Sequence, residues 1–153
     1  MQGVFNMIIG FFGNMCDGKT LNAVIKLKEY YDRGYVIYSN TWLSFPYVSL
    51  LSKDLIDIAE GKKELPFNCA MFIDEIHVWL DSRVSGSKKN RIISYFLLQT
   101  GKMGSDADIG LILIYTTQYY HQIDKRLRST TCIAIECEKI KIHFRKIFKL
   151  NSL

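Results

Sequence analysis

The stretch Met7-Ile8-Ile9-Gly10-Phe11-Phe12-Gly13-Asn14-Met15-Cys16-Asp17-Gly18-Lys19-Thr20 decides how this chain folds. Its first six residues are an apolar run suited to a strand covered on both faces. The next eight match G-x-x-x-x-G-K-T, the phosphate loop. In such a loop, backbone N–H groups converge on phosphate oxygens, a lysine supplies a point charge to the outer two phosphates, and a hydroxyl holds Mg²⁺. The backbone role falls to Gly13, Asn14, Met15, Cys16, Asp17 and Gly18, the charge to Lys19 and the hydroxyl to Thr20. A helix pattern follows, with Leu21, Val24, Ile25 and Leu27 read as one apolar face and Gly34 as its end. Strand, loop and helix in that order separate a nucleoside triphosphate site from a glycine-rich turn that matches by accident. Asp17 is unexpected, because it adds negative charge beside the triphosphate and the residue pattern offers no reason for it.

Strand and helix patterns continue to alternate outward from this stretch. Tyr35 to Tyr38 is a short β-rich run, residues 40–47 form a connection, and Leu50, Leu51, Leu55, Ile56 and Ile58 to Ala59 mark a second helix closed by Gly61. Cys69-Ala70-Met71-Phe72-Ile73 reads as a central strand that runs into Asp74-Glu75. A polar loop spans Ser82 to Lys89, and a helix is expected over Arg91 to Lys102 with Ile92, Ile93, Phe96 and Leu97 inward. Ile109 to Tyr115 is another central strand, ending in Thr116-Thr117-Gln118. Helical residues near Ile123 to Leu127 lead to a strand over Cys132 to Cys137, and the tail alternates Ile140, Ile142 and Phe144 with basic residues. This alternation implies an α/β fold with a mostly parallel sheet, whose ligands bind at the carboxyl ends of the strands.

The whole chain bounds the possibilities. At 153 residues it is expected to form a single domain, 1–153. No apolar stretch reaches the length of a membrane span, and the N-terminus lacks a secretory-signal pattern, so a cytoplasmic location is expected, in the host cytoplasm or with the virion if the protein is viral. Cys16, Cys69, Cys132 and Cys137 show no C-x-x-C spacing and suit a reducing compartment. The net charge of +5 resides in the tail, where Lys139, Lys141, Arg145, Lys146 and Lys149 stand without an acid. Such a basic element either faces a polyanion or is an edge strand guarded by lysines.

The strand ends carry the remaining chemistry. Asp74, at the end of the third strand, is the expected anchor for Mg²⁺, directly or through water. Glu75 is placed to polarise a water for attack on the γ-phosphate, or else the two acids cap the turn that follows. Gln118 can donate to a phosphate oxygen and orient the same water. Lys19, Glu75 and Gln118 are therefore the expected catalytic group. His77 lies close by, though a single histidine at a helix start is more often structural.

Taken together, the phosphate loop, Tyr38-Ser39-Asn40-Thr41, Phe72-Ile73-Asp74-Glu75-Ile76-His77, Ile112 to Gln118 and Gln122-Ile123-Asp124-Lys125-Arg126-Leu127-Arg128 resemble the zonula-occludens-toxin-like branch of the FtsK/HerA class of P-loop ATPases. The resemblance implies a three-layer RecA/ASCE-like fold with strand order 5-1-4-3-2 and a C-terminal basic strand or hairpin. It also implies ATP and Mg²⁺ as ligands, a hexameric or similar ring, and a basic group supplied by a neighbouring subunit. The family's usual arginine before the fourth strand is replaced here by Lys102, leaving Arg91, Arg126 and Arg128 as further candidates. A soluble ATPase without the membrane segment of the filamentous-phage members is expected. The implied function is an ATP-driven motor that packages or translocates DNA, double-stranded by expectation, with capsid or virion proteins as partners. Arg83, Lys88, Lys89, Lys139, Lys141, Arg145 and Lys146 are the candidate DNA contacts. The alternatives are a phage extrusion ATPase, a nucleotide-gated scaffold and a small nucleotide kinase.

Overall fold

β1 (Met7–Phe12) runs through the middle of a parallel sheet, with β5 (Leu111–Thr117) paired along one side and β6 (Ile133–Glu136) along the other. The computed structural model describes residues 7–80, 83, 86–88, 90–91 and 110–139. β4 (Cys69–Ile73) pairs with β5 and with β2 (Val36–Ser39), and β2 carries a two-residue edge strand, β3 (Val48–Ser49). The full order is β3-β2-β4-β5-β1-β6. With β3 set aside, this is the expected 5-1-4-3-2. The added edge strand falls at the end of what the sequence presents as a plain loop, where Leu50 N–H also donates to the Ser39 carbonyl at 2.8 Å.

Side chains alternate across the sheet and build a core on each face. Ile9, Phe11, Ile37, Ala70, Phe72, Ile112 and Ile114 pack against Ala23, Leu27 and Tyr30 of α1 (Lys19–Asp32). Ile8, Met71, Ile73, Leu113 and Tyr115 face the other way, against Leu55 of α2 (Ser52–Ala59), Ile76, Leu80, Ile123 and Leu127 of α3 (Lys125–Thr130). The result is the expected three-layer α/β arrangement. Every residue of β4 and β5 is buried, which is why both strands read as unbroken apolar runs.

The apolar face of α1 differs from the sequence expectation. Leu21 and Ile25 are 65% and 55% exposed, whereas Ala23, Leu27 and Tyr30 are buried. At about 100° per residue, positions 23, 27 and 30 share one face and 21 and 25 lie opposite. Lys19 falls on the buried side, in line with Ala23 and Tyr30, so the first turn of the helix draws its ammonium stem inward.

Two further differences are small. α3 begins at Lys125, its first turn capped by the Asp124 carboxylate, which accepts the Arg126 N–H at 2.9 Å. Leu51, assigned by pattern to the core, is 63% exposed, because the α2 entry turns at this residue and its N–H is held by the Asp54 carboxylate at 2.7 Å. The expected helix beyond Arg91 and the expected basic strand beyond Lys139 lie outside the described residues. No helix among the described residues is long and apolar enough to cross a membrane.

Candidate nucleotide site

The site forms where β1, β2, β4 and β5 all end. Gly13, at φ +148°, turns the chain out of β1, and a Cβ there would run into the Cys137 carbonyl oxygen. Cys137 N–H in turn donates to Phe12 O at 2.7 Å, so the end of β6 fixes where the loop starts. Cys16 and Gly18 both adopt left-handed backbone, at φ +67° and +79°. Left-handed residues in sequence with right-handed ones turn successive N–H groups toward one point, the arrangement that binds anions. α1 then starts at Lys19, with its N-terminus aimed at the same point.

Asp17 has a definite place in this loop. Its Oδ2 accepts the Asn14 N–H at 2.9 Å, and the Asn14 carbonyl receives the Lys19 ammonium at 2.6 Å. The carboxylate therefore closes the loop on itself and holds the turn that presents Lys19. Asn22 adds a further tie, its amide donating to the Gly18 carbonyl at 3.0 Å.

Asp74 is fixed from three directions. Thr20 Oγ1 donates to Asp74 Oδ1 at 3.0 Å, and Thr116 Oγ1 donates to the same oxygen at 2.6 Å. The backbone of Asp74 is gripped by Asn40, whose Oδ1 accepts the Asp74 N–H at 2.8 Å and whose amide donates to the Asp74 carbonyl at 3.0 Å. The carboxylate thus faces the threonine of the loop. Glu75 adopts a left-handed backbone, φ +53°, and its N–H donates to Thr116 Oγ1 at 2.8 Å. Neither acid caps the short 3₁₀ turn Ile76–Val78 with its side chain.

A cavity of about 350 Å³ opens above these residues, lined by Lys19, Thr20, Glu75 and Gln118 together with the loop residues Met15, Cys16 and Gly18. A second hollow of about 480 Å³ lies on the far side of the loop, between α1 and the end of β6, with Asp17 in its lining. Burial, and the charge of nearby Asp17 to a smaller degree, push the Cys137 thiol up, while the Asn22 amide and the Lys19 ammonium pull it down.

Sequence reasoning missed Asn40, Thr116 and Thr117 as members of the site. The signal was present, since each is a polar residue that closes an apolar strand at the same edge of the sheet as Asp74. Of the trans-acting candidates, Arg126 lies 3.4 Å from Asp124 within its own chain, and Arg128 Nη1 lies 3.4 Å from His121 Nδ1. Arg91 is exposed, and Lys102 lies outside the described residues. Arg83, Lys88 and Lys139 are exposed, whereas Lys89, Lys141, Arg145 and Lys146 lie outside the described residues.

A parallel sheet in this order, with a phosphate loop after β1 and carboxylates after β4, defines a P-loop nucleoside-triphosphatase fold. The chain belongs to the ATPase family associated with various cellular activities (AAA), whose sequence profile matches residues 9–139. Solved structures similar to it include the genome packaging NTPase B204 from Sulfolobus turreted icosahedral virus 2, in complex with ATP-gammaS. That likeness has TM-score 0.60 and 15% identity and covers 96% of this chain and 78% of the other. A chain of the E. coli MS115-1 HORMA:CdnC:Trip13 complex matches with TM-score 0.60 and 12% identity over 90% of this chain and 50% of its own length. The FIGL-1 AAA domain in complex with ADP matches with TM-score 0.56 and 19% identity over 85% of this chain and 42% of its own. This chain thus spans half or less of the length of the last two. No curated protein sequence is similar enough to match.

Proposed function

We propose that this AAA-family chain is a Mg²⁺-dependent ATPase of the FtsK/HerA type that moves DNA, with genome packaging as its setting. The observation that carries the ATPase reading is the convergence of Lys19, Thr20, Glu75 and Gln118 on one cavity, with Asp74 hydrogen-bonded to Thr20. The paired hydroxyl and carboxylate are hard oxygen donors of the kind Mg²⁺ takes, so Thr20 and Asp74 would hold it, Asp74 directly or through water. The ion would neutralise charge on the outer phosphates.

The chain's own residues divide the rest of the work. The N–H groups of Gly13 to Gly18 cradle the phosphates and Lys19 adds its charge to the outer two. Glu75 takes the proton from the attacking water as its oxygen bonds to the γ-phosphorus and the bond to the bridging oxygen breaks, leaving ADP with the electron pair. Gln118 orients that water and donates to a γ-phosphate oxygen. With the γ-phosphate directed toward β4 and β5, the nucleoside half runs toward β6, where the hollow beside Asp17 lies.

Support for DNA as the substrate comes from the similarity to a viral genome packaging NTPase and from exposed Arg83, Lys88 and Lys139. A hexameric ring would bring a neighbour's basic group to the γ-phosphate, with Lys102, Arg91, Arg126 and Arg128 as the candidates. The test is ATP hydrolysis with and without double-stranded DNA, beside Lys19→Ala and Glu75→Gln controls. Stimulation by DNA that both variants abolish supports the motor. Turnover that ignores DNA removes the translocation part of the proposal.

A further inference from the structure

His77 borders the catalytic cluster without lining its cavity. Its Nδ1 lies 3.2 Å from Glu75 Oε2 and 3.5 Å from Thr117 Oγ1. Glu75 Oε2 is shut away from solvent and no donor meets it with hydrogen-bond geometry, the His77 nitrogen standing beside it at ion-pair distance. A buried carboxylate oxygen is costly unless a donor meets it, so the ring nitrogen beside it matters.

The protonation of that nitrogen follows from its neighbours. Thr117 Oγ1 directs its single hydrogen at the Tyr119 carbonyl, 3.3 Å away, and so offers His77 only lone pairs. The ionised carboxylate of Glu75 likewise only accepts. With acceptors on both sides, Nδ1 carries the proton in the neutral ring and donates. The backbone makes the pairing local and stiff, since Val78 N–H closes the turn onto the Glu75 carbonyl at 3.0 Å and Ile76 between them is buried.

We propose that His77 is a positioning residue for Glu75. Its Nδ1–H holds Oε2 at the back of the site, which leaves Oε1 as the oxygen available to the attacking water. This rests on the reading of Glu75 as the base. The sequence alone leaves His77 as a structural histidine, and it is the unpartnered carboxylate oxygen that gives the ring a task.

The test compares steady-state ATP hydrolysis and ATP-gammaS binding in wild type, His77→Ala, His77→Asn and Glu75→Gln. The expected result is a roughly tenfold loss of kcat in His77→Ala with KM and binding unchanged, a size common for partners that orient a functional group. His77→Asn, whose amide nitrogen stands near the Nδ1 position, is expected to recover most of it. If His77→Ala loses its cooperative melt, His77→Gln serves instead, because its amide falls at the Nε2 position and cannot reach Oε2. Wild-type or faster turnover in His77→Ala, or equal damage in His77→Ala and His77→Asn, overturns the proposal. A Glu75→Gln variant that hydrolyses ATP normally removes the base itself. An inert Glu75→Gln beside an unimpaired His77→Ala removes only the role of His77.

Discussion

Thr20 and Asp74, 54 residues apart in sequence, meet through a 3.0 Å hydrogen bond from Oγ1 to Oδ1 that ties the first turn of α1 to the end of β4. Thr116, from β5, donates to the same carboxylate oxygen and accepts the Glu75 N–H, so one buried hydroxyl orders both acids. Thr116→Val keeps the shape of the side chain and deletes these two bonds. The expected outcome is a loss of turnover of about 10–100-fold, as for other groups that orient a ligand-bearing side chain. Nucleotide retention, which depends on Lys19 and the loop, should survive. Single-turnover hydrolysis beside equilibrium binding of ATP-gammaS separates the two, and equal loss of binding would show that Thr116 serves the loop rather than the acids.

Asp17 holds the loop closed by accepting the Asn14 N–H, one of the donors a phosphate oxygen would otherwise use. Its charge also opposes the triphosphate. Asp17→Ala removes both effects, and two unit charges about 4 Å apart interact by about 1 kcal/mol in water. ATP should therefore bind Asp17→Ala roughly fivefold more tightly at low ionic strength. The gain should shrink as salt is added. Weaker binding instead would mean that the turn held by Asp17 matters more than the charge it adds.

The cysteines report on the same loop. Cys16 is exposed at the mouth of the cavity and Cys132 is exposed beyond α3, whereas Cys69 is buried and its thiol is pushed up to about 12 by desolvation. Because the thiolate is the reactive form, mild alkylation near pH 8 should label Cys16 and Cys132 and leave Cys69 untouched until the protein unfolds. ATP with Mg²⁺ should shield Cys16 alone. Peptide mapping of the labelled protein checks this, and equal protection of Cys132 would point to a global change rather than occupancy of the loop.

Asp54 and Lys63 give a pH signature remote from the site. The Lys63 ammonium, 2.8 Å away, holds the Asp54 carboxyl below its usual range, and the same bond raises Lys63. For Asp54 the stabilisation is present above the ordinary carboxylate range and fades as pH falls through the lowered value. For Lys63 it is present below the ordinary lysine range and fades as pH rises through the raised one. Both groups are partly exposed, so Asp54→Asn should cost less than about 1 kcal/mol at neutral pH. Denaturant titrations should show that difference beginning to shrink below about pH 4 and gone once the pH is under the lowered Asp54 value. A difference that persists in acid would assign it to the Leu51 N–H bond at the start of α2.

How far the sequence reached depended on whether a residue's role is local. Strands and the loop were legible because apolar runs and fixed spacings are properties of neighbouring residues, whereas the strand order excluding β3 came only from the family resemblance those motifs carry. The face of α1 was misread because Leu21 and Ile25 are apolar yet point away from the sheet, and the helix phase is set by where Gly18 releases the chain. Asn40 and Thr116 act through a partner 34 and 42 residues away, Asp74 in both cases, and no spacing rule exposes such pairs. His77 was visible as a residue near Glu75, but only the unpartnered Glu75 oxygen shows what the ring can do.

The position of the loop depends on a contact inside β1. Gly10 pairs in register with Tyr115 of β5, and a Cβ on Gly10 would press into the Tyr115 ring and hydroxyl. Tyr115 cannot easily yield. It is fully buried and its hydroxyl is bonded to Thr131 Oγ1 at 2.8 Å, which ties β5 to the end of α3. Gly10→Ala should therefore destabilise the fold by about 1–3 kcal/mol, the usual range for overpacking a close-packed interior. Tyr115→Leu alone should also destabilise, by opening a cavity and leaving the Thr131 hydroxyl only its bond to the Leu127 carbonyl. The double variant should cost less than the sum of the two, because the smaller side chain makes room for the new methyl group. Denaturant unfolding of the four proteins gives the coupling directly. Strict additivity would mean that the sheet absorbs the methyl group by shifting β1 rather than by moving Tyr115, and nucleotide affinity should then fall in Gly10→Ala as the loop moves with the strand.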